Sequence, residues 1–257
     1  MPAKRLTAVI TGASRGIGRA AALRFAQEGY GVWALARSIE NLESLKREVA
    51  DQQVEVRALR VDVSKREEVI TACKVILAEK GPPAVLVNNA GIALSAPLAK
   101  TEAEAFDRLM AINAVAPFFF CRELMPAMAG AGGGRVINIA STAALKGFKY
   151  TSAYCASKHA LLGMTRALAV EFAKKGVTVN AVCPGWTDTD MLEASARAIS
   201  NATGRSHEAS REALAQKNPM GRLIRPEDVA ELCLFLASPA AAAITGAAYL
   251  MDAGEAA

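Results

Sequence analysis

A glycine-rich turn that directly follows a short apolar segment is the feature that most restricts how this chain can fold. The segment Leu6 to Thr11 is apolar enough for a buried strand, and Gly12, Gly16 and Gly18 come directly after it. The amphipathic stretch Arg19 to Gln27 then predicts a helix. A strand, a glycine turn and a helix in this order form the first half of a dinucleotide-binding unit.

Each glycine of this turn has its own predicted role. Gly12 permits the tight turn, Gly16 lets backbone N–H groups approach a pyrophosphate, and Gly18 lets the helix pack close to the strand. The turn carries three further residues that we predict to contact the cofactor: Ser14, Arg15 and Ile17. Three glycines at this spacing arise by chance in about one chain in ten of this length, so their position after the first strand carries the prediction.

The residues after the second predicted strand indicate which dinucleotide binds. That strand is Gly31 to Ala36, and it is followed by Arg37 and by Ser38, the predicted N-cap of the next helix. Folds specific for NAD usually carry an acidic residue here to bind the ribose 2′-hydroxyl, whereas an arginine accommodates the 2′-phosphate of NADP. This chain has no carboxylate at that point, and Arg15 can grip the same phosphate. We therefore predict NADP in preference to NAD.

Polar and small residues also end the third and fourth predicted strands. Asp62 and Val63 follow the alternating segment Val54 to Val61. The Asp62 carboxylate is placed either to accept the adenine amino group or to cap a loop, and the sequence leaves both interpretations open. The fourth strand ends in three residues that leave room for a flat ligand: Asn89, Ala90 and Gly91.

A proline interrupts the longest predicted helix, Thr101 to Met128. Thr101 and Glu104 have the spacing of a capping box at its start, and Pro117 lies inside it. Proline has no N–H to offer the carbonyl four residues back, which belongs to Asn113. The pattern therefore predicts a kink at Asn113 and a carbonyl that is free to hold a water molecule.

A serine, a tyrosine and a lysine are predicted to converge at the end of the fifth strand. Ser141 follows the buried run Arg135 to Ala140, and Tyr154 and Lys158 lie one turn apart on a helix predicted over 152–173. A phenol has a pKa of about 10, so Tyr154 needs a nearby cation, which Lys158 can provide, to exchange protons at neutral pH. A lone Tyr-x-x-x-Lys is common on solvated helices, so the surrounding motifs decide the interpretation.

The last third of the chain continues the alternation of strands and helices. A sixth strand, Val177 to Cys183, ends in Pro184 and Gly185, at the edge where ligands bind in open parallel sheets. Two short helical segments then occupy residues 188–218, and Ala247 to Met251 is the seventh strand. Such alternation predicts an α/β fold: a doubly wound (Rossmann) seven-stranded parallel sheet with helices on both faces. We predict a single domain that spans the whole chain, with a small helical substrate lid at about 188–218.

Composition excludes several other classes of protein. The chain of 257 residues is 52% hydrophobic and 21% charged, and its net charge of +5 is spread without a basic run, so neither disorder nor nucleic-acid binding is indicated. The apolar run Ala114 to Cys121 is far too short for a membrane span, and the first residues lack a secretory core, so we expect a cytoplasmic protein. Five scattered cysteines without a Cys-x-x-Cys pair predict buried thiols, with no disulfide framework and no metal site.

Taken together, the glycine turn, the Asn-Asn-Ala-Gly segment, Asn113, Ser141, Tyr154-x-x-x-Lys158 and Pro184-Gly185 resemble the short-chain dehydrogenase/reductase family over nearly the whole chain. The resemblance implies an Asn-Ser-Tyr-Lys catalytic tetrad and a homotetramer. It also implies that Thr187 and Thr189 contact the nicotinamide carboxamide. The lid region is similar to that of bacterial polyketide and acyl-thioester ketoreductases.

These features predict an NADP(H)-dependent oxidoreductase that reduces a ketone to a secondary alcohol. In this interpretation Tyr154 donates the proton, Ser141 hydrogen-bonds the substrate oxygen, and Lys158 lowers the tyrosine pKa and orients the ribose. The expected substrate is a small ketone or alcohol, either free or joined to a thioester carrier. A general carbonyl reductase or secondary alcohol dehydrogenase, and a non-catalytic dinucleotide sensor, are the alternatives. The two histidines, His159 and His207, have neither nucleophile nor metal-ligand spacing.

Overall fold

Parallel strands and flanking helices alternate along the whole described chain. The computed structural model describes residues 6–50 and 54–256. Its seven-stranded sheet has the order β3-β2-β1-β4-β5-β6-β7, and every neighbouring pair of strands is parallel. The strands are β1 Thr7–Thr11, β2 Gly31–Ala36, β3 Val56–Arg60, β4 Val85–Asn88, β5 Gly134–Ile139, β6 Val177–Pro184 and β7 Ala248–Met251. The predicted doubly wound fold is confirmed.

Helices cover both faces of this sheet, as predicted. The helices are α1 Gly16–Gln27, α2 Ile39–Glu48, α3 Arg66–Lys80, α4 Ala103–Met110, α5 Ala116–Gly130, α6 Ser152–Phe172, α7 Asp190–Thr203, α8 His207–Ala215 and α9 Pro226–Ala237. One apolar core joins the sheet to α1, α2 and α9, and a second joins it to α3, α5 and the end of α6. Strand β2 serves both cores because its side chains alternate: Ala34 faces the first and Trp33 the second.

The long predicted helix is present but is built in three parts. A π-helical segment, Ala111–Val115, lies between α4 and α5 and contains Asn113, where the break was expected. Pro117 stands in the first turn of α5, where a missing N–H costs least. The predicted capping box is wrong, because Thr101 Oγ1 donates to the carbonyl of Pro97 at 3.2 Å and Glu102 becomes the N-cap.

The helix that runs over Ala103–Gly130 is long and apolar enough to cross a membrane by composition alone. Its most apolar window has a mean hydropathy of 1.2, yet 61% of that window is buried inside the fold. Phe120, Leu124 and Met128 pack into the second core. The helix is therefore the apolar centre of one face of the sheet.

The two helices after β6 occupy the region in which a substrate lid was predicted, and we call them the lid. Helices α7 and α8 pack through Leu192, Ala196 and Leu214, and Gly204 ends α7 with a φ of 71°. Arg211 on α8 pairs with Glu193 of α7 and with Asp188 just before it. These contacts hold the two helices together as one unit.

Candidate active site

The glycine turn after β1 is packed so closely that side chains have no room. A Cβ on Gly12 would lie 2.8 Å from Asn89 Nδ2, and a Cβ on Gly18 would overlap the Gly12 carbonyl. Asn89 Nδ2 donates to the carbonyls of Thr11 and Gly12 at 2.9 and 3.3 Å. The backbone N–H groups of Asn89 and Ala90 donate to Thr11 Oγ1, each at 3.0 Å. The residues at the end of β4 thus hold one side of the glycine turn by hydrogen bonds. The opposite side of the turn stays open to a ligand.

An open cavity of about 400 Å³ lies beside this turn. It is lined by five polar residues: Ser14, Arg15, Arg37, Ser38 and Asn41. Among residues 6–50 and 54–256 no carboxylate lines it, and two guanidinium groups face a space next to the N-terminus of α2. Ser38 is the N-cap of that helix, as predicted, since its Oγ accepts from Asn41 N–H at 3.4 Å. These side chains suit a phosphate, because both guanidinium groups and a helix N-terminus favour an anion.

Asn41 was not anticipated from the sequence. The sequence could have indicated it only through its position three residues after the N-cap Ser38. That position lies in the first turn of α2, which lines the same cavity.

The Asp62 carboxylate caps its own loop. Its Oδ1 accepts hydrogen bonds from Ser64 N–H at 3.0 Å and from Ser64 Oγ at 2.7 Å. Partial burial raises the pKa of Asp62, but these bonds and the nearby Arg37 charge outweigh that effect and hold the pKa below its ordinary value. Of the two interpretations left open, the structure shows the loop cap. Two other predicted cofactor residues, Ile17 and Val63, pack against the two cores.

The side chains of Ser141 and Tyr154 interact near the carboxyl end of β5. Ser141 caps the short 3₁₀ helix Thr142–Ala144, and its Oγ accepts from Ala143 N–H at 3.1 Å. Tyr154 lies in the first turn of α6. Burial raises the pKa of the Tyr154 phenol, and interaction with the Ser141 side chain offsets only part of that increase. The expectation that Lys158 brings this pKa below its ordinary value is therefore not met by the protein alone.

Lys158 is buried one turn after Tyr154. Its Nζ donates to the carbonyl of Ile139 at 2.9 Å and lies 5.8 Å from the centre of the Tyr154 ring. Burial lowers the pKa of Lys158 to about 8, and the nearby Cys183 side chain opposes that shift. The Lys158 ammonium is thus held at the end of β5 by a main-chain carbonyl. It lies at the same carboxyl edge of the sheet as the Tyr154 phenol.

Asn113 is fully buried on the π-helical segment, and its side chain is used for positioning. Its Oδ1 accepts from Ile92 N–H and its Nδ2 donates to the Ile92 carbonyl, both at 2.9 Å. The same Nδ2 donates to Ser157 Oγ at 3.0 Å. A Cβ on Gly91 would lie 3.3 Å from Asn113 Oδ1 and 3.5 Å from Lys158 Nζ. Gly91 therefore packs against both of these side chains. Ser157 was missed, although it stands three residues after Tyr154 on α6.

The residues after β6 close the site from the other side. Thr187 Oγ1 donates to the Gly185 carbonyl at 3.1 Å, and Thr189 Oγ1 donates to the Thr187 carbonyl at 3.3 Å. A Cβ on Gly16 would lie 3.1 Å from the Thr189 side chain. The glycine turn and the start of the lid are therefore neighbours, with the ends of β4, β5 and β6 beneath them.

Comparison with known proteins agrees with this arrangement. A family model described as enoyl-(acyl carrier protein) reductase, of the short-chain alcohol dehydrogenase type, matches residues 12–255. The chain is a short-chain dehydrogenase/reductase. It is 35% identical over 251 residues to a D-beta-hydroxybutyrate dehydrogenase of Cupriavidus necator, with 96% of each chain covered. It is also 35% identical over 246 residues to the 3-oxoacyl-(acyl carrier protein) reductase FabG of Thermotoga maritima, again with 96% of each covered.

Solved structures of the family superimpose closely on this short-chain dehydrogenase/reductase. An actinorhodin polyketide ketoreductase with NADPH matches with a TM-score of 0.93 and 34% identity, over 98% of this chain and 97% of the other. The L-sorbose reductase of Gluconobacter frateurii, complexed with NADPH and L-sorbose, matches with a TM-score of 0.93 and 30% identity over the same shares. The resemblance inferred from the motifs is confirmed, and the enzyme class is that of oxidoreductases.

Proposed function

We propose that this short-chain dehydrogenase/reductase reduces a ketone to a secondary alcohol with NADPH, and that the reaction is reversible. The observation that carries the proposal is the convergence of Ser141, Tyr154 and Lys158 on the sheet edge that also holds the arginine-lined cavity. Relatives named as 3-oxoacyl reductases and polyketide ketoreductases support carbonyl reduction. NADPH, when bound, supplies the hydride that reduces the carbonyl carbon.

The protein's part in this chemistry is to place the carbonyl oxygen and to move one proton. Ser141 and Tyr154 are close enough to bind one substrate oxygen together, and the raised pKa of Tyr154 keeps the phenol protonated before it donates. Lys158 adds a positive charge nearby, which stabilises the phenolate left after transfer. Asn113 acts through its neighbours, because it fixes the Ile92 main chain and Ser157 beside Tyr154 and Lys158.

We assign the cofactor surface to the glycine turn, the arginine cavity and the strand ends. It comprises Gly12, Ser14, Arg15, Gly16, Ile17, Gly18, Arg37, Ser38, Asp62, Val63, Asn89, Ala90, Gly91, Pro184, Gly185, Thr187 and Thr189, together with Tyr154 and Lys158. Thr189 lies opposite Gly16, and Thr187 and Thr189 would hold the nicotinamide end. Arg15 and Arg37 would bind the 2′-phosphate, which favours NADP over NAD.

The test of this proposal is reduced-nicotinamide absorbance in stopped flow across a panel of ketones. Tyr154→Phe should still bind NADPH but lose at least about 10²-fold in kcat, because it lacks the proton donor. Full turnover by Tyr154→Phe would refute the assignment. Tight NADPH binding without turnover of any ketone would favour the non-catalytic sensor instead.

For the substrate we propose a 3-oxoacyl thioester, and the lid provides a partial argument. Three arginines lie in the lid and could steer an anionic carrier: Arg197, Arg205 and Arg211. Arg211 is held by two carboxylates, which leaves Arg197 and Arg205 for that role. The alternative is a general carbonyl reductase or secondary alcohol dehydrogenase. It is supported by relatives named L-sorbose reductase and D-threitol dehydrogenase, which are similar at 30% and 34% identity.

A kinetic comparison separates the two substrate classes. Acetoacetyl-CoA should show a higher kcat/KM than ethyl acetoacetate at equal concentration if binding of the remote carrier contributes to catalysis. Arg197→Ala with Arg205→Ala should remove that advantage and leave ethyl acetoacetate unaffected. Equal kcat/KM for the two compounds in the unmodified enzyme would identify a general carbonyl reductase.

We further propose a single-domain enzyme that works as a cytoplasmic homo-oligomer, a tetramer by family resemblance, without a nucleic-acid or membrane partner. Large apolar side chains stay exposed on the outer helices and on β7: Phe118, Val170, Phe235 and Leu250. Such groups favour subunit contacts. Light scattering coupled to gel filtration measures the oligomeric state, and a monomer at micromolar concentration would contradict this part of the proposal.

A further inference from the structure

The residues that follow β7 fold back over the ends of β5 and β6. Asp252 is buried, and its carboxylate accepts from Gly254 N–H at 3.0 Å and from Ala256 N–H at 2.8 Å. These bonds form a turn, residues 252–256, that carries Glu255 toward the end of β6. A Cβ on Gly185 would lie 3.0 Å from Glu255 Oε2. The carboxylate therefore stands next to the loops that surround the active site.

The Glu255 carboxylate joins two loops that are far apart in sequence. Its Oε1 accepts from Trp186 Nε1 at 3.1 Å, and its Oε2 accepts from Thr142 Oγ1 at 3.4 Å. Thr142 directly follows Ser141, and Trp186 begins the segment that leads into the lid. In addition, Lys146 Nζ donates to the Glu255 main-chain carbonyl. One residue thus connects the catalytic serine loop with the base of the lid.

Trp186 extends this connection into the lid itself. Its ring packs against the apolar cluster of Leu192, Ala196 and Leu214 between α7 and α8. Lys217 Nζ lies 4.8 Å from the ring centre on the lid side of the chain. The indole can rotate only if its bond to Glu255 breaks, because Nε1 is its single donor. The orientation of Trp186, and with it the base of the lid, depends on this carboxylate.

We propose that Glu255 is a positioning residue for the ketone, acting through Trp186 and Thr142. It sets the distance between the lid base and the Ser141 loop, and so shapes the space in which the carbonyl group must lie. Glu255 does not line the arginine cavity, although it lies next to Gly185 of the proposed cofactor surface, so its removal should affect the ketone more than NADPH. The kinetic part of this inference rests on the proposed ketone reduction, whereas the contact between Glu255 and Trp186 does not.

The kinetic test compares variants that keep or remove the acceptor, with ethyl acetoacetate as the probe. Glu255→Ala should raise KM for ethyl acetoacetate about tenfold, since a hydrogen bond to a charged group is lost, and should raise KM for NADPH by no more than about twofold. Glu255→Gln retains an acceptor for the indole and should restore KM to within about threefold. Glu208→Ala, an exposed glutamate of the lid, is the matched control and should change neither constant.

A double-mutant cycle tests whether Glu255 acts through Trp186. Trp186→Phe keeps an aromatic ring without the N–H and should raise KM for the ketone in the same direction as Glu255→Ala. If Glu255 acts through Trp186, KM for the ketone in the double variant should exceed that of the poorer single variant by no more than about twofold. Independent effects would multiply instead. Multiplying effects, or equal increases of KM for NADPH and the ketone in Glu255→Ala, would overturn the proposal.

A fluorescence measurement needs no substrate and remains informative if the proposed reaction is wrong. The chain has two tryptophans, so Trp33→Phe makes Trp186 the only emitter. In that background Glu255→Ala should shift the emission to longer wavelength and raise the acrylamide quenching constant at least about twofold, because the indole is released to solvent. Unchanged emission and quenching in a folded Glu255→Ala protein would show that the carboxylate does not hold the indole.

Discussion

Arg15 Nη1 lies 3.0 Å from Asp190 Oδ2, so an ion pair connects the glycine turn with the first residue of the lid helix α7. Arg15 also lines the cavity that we assign to the cofactor phosphate. A phosphate and Asp190 therefore compete for the same guanidinium group. Binding of NADPH is expected to weaken this ion pair and thereby to release the first turn of α7.

Asp190→Asn should consequently bind NADPH more tightly, because Arg15 no longer has a competing carboxylate. Both side chains are well exposed, and such pairs are worth about 0.2–1 kcal/mol, so the gain should not exceed about fivefold in Kd. Binding of NADH should stay unchanged. Titration of reduced-nicotinamide fluorescence at low and high salt measures this, with Asp188→Asn as the control. Weaker NADPH binding by Asp190→Asn would contradict the competition.

Arg37→Asp should reverse the cofactor preference. A charge-assisted phosphate contact contributes about 1.5–3 kcal/mol, so NADPH should bind more than about tenfold less tightly, while NADH binds equally well or better. Arg47→Asp makes the same charge change on an exposed position of α2 and should leave both affinities nearly unaltered. Equal affinity of the unmodified protein for NADPH and NADH would show the preference to be wrong.

Local patterns predicted this fold well because each one depends on near neighbours. The glycine turn, the strand before Ser141 and the Tyr154–Lys158 spacing need only a strand, a turn or one helical turn to be correct. The contacts that were missed depend on distant partners. Glu255 meets Thr142 across 113 residues, and Asn113 meets Ile92 across 21.

The errors have the same origin. Thr101 has the right spacing for a capping box, but the carbonyl of Pro97, brought near by a short 3₁₀ turn, takes its hydroxyl instead. The pKa of Tyr154 was expected below its ordinary value from the Lys158 spacing alone. The structure shows that burial of the phenol dominates while Lys158 Nζ is held by Ile139. Neither the burial nor the carbonyl can be read from the spacing.

Two glycine substitutions should have opposite effects on stability. Gly18→Ala places a methyl group against the Gly12 carbonyl and should lower both the melting temperature and NADPH affinity. Gly163 lies in the middle of α6 with no atom within 4 Å of an added Cβ, so Gly163→Ala should stabilise the protein by about 0.5–1 kcal/mol. Thermal unfolding followed by circular dichroism compares the two. A neutral Gly18→Ala would mean that the turn can relax away from α1.

Ketone reduction should be fast near neutral pH and fall in alkaline solution. The reaction needs a protonated Tyr154, which its raised pKa secures, and a charged Lys158, whose pKa lies at about 8 in the free protein. Therefore kcat/KM for the ketone should be level between about pH 6 and 7 and decline above about pH 8. A profile measured with saturating NADPH at constant ionic strength provides the test. A limb that rises through pH 8 would require a deprotonated group and would exclude this assignment.

Burial of the Lys158 charge should also appear in the pH dependence of stability, without any cofactor. The folded-state pKa of about 8 lies below the ordinary 10.5, so the unfolded chain binds more protons between these values and stability gains from Lys158 as pH rises. Below about pH 8 the buried charge costs about 3 kcal/mol. Lys158→Met should therefore be more stable than the parent at pH 7, and this advantage should shrink toward pH 10.

Three buried cysteines, Cys73, Cys121 and Cys233, have pKa values raised by burial, act in the opposite direction in both proteins and cancel in the difference. Cys183 interacts with the charges of Lys158 and Arg166, so every protein compared, the parent included, carries Cys183→Ala. The measurement is therefore the difference in unfolding free energy between Lys158→Met and the parent, taken from urea titrations at several pH values. Arg166→Met, on the same helix, removes a positive charge from an exposed position and should give a difference that does not change with pH. If the Lys158→Met difference is equally flat from pH 7 to 10, the ammonium is hydrated in the free protein and is not desolvated at the end of β5.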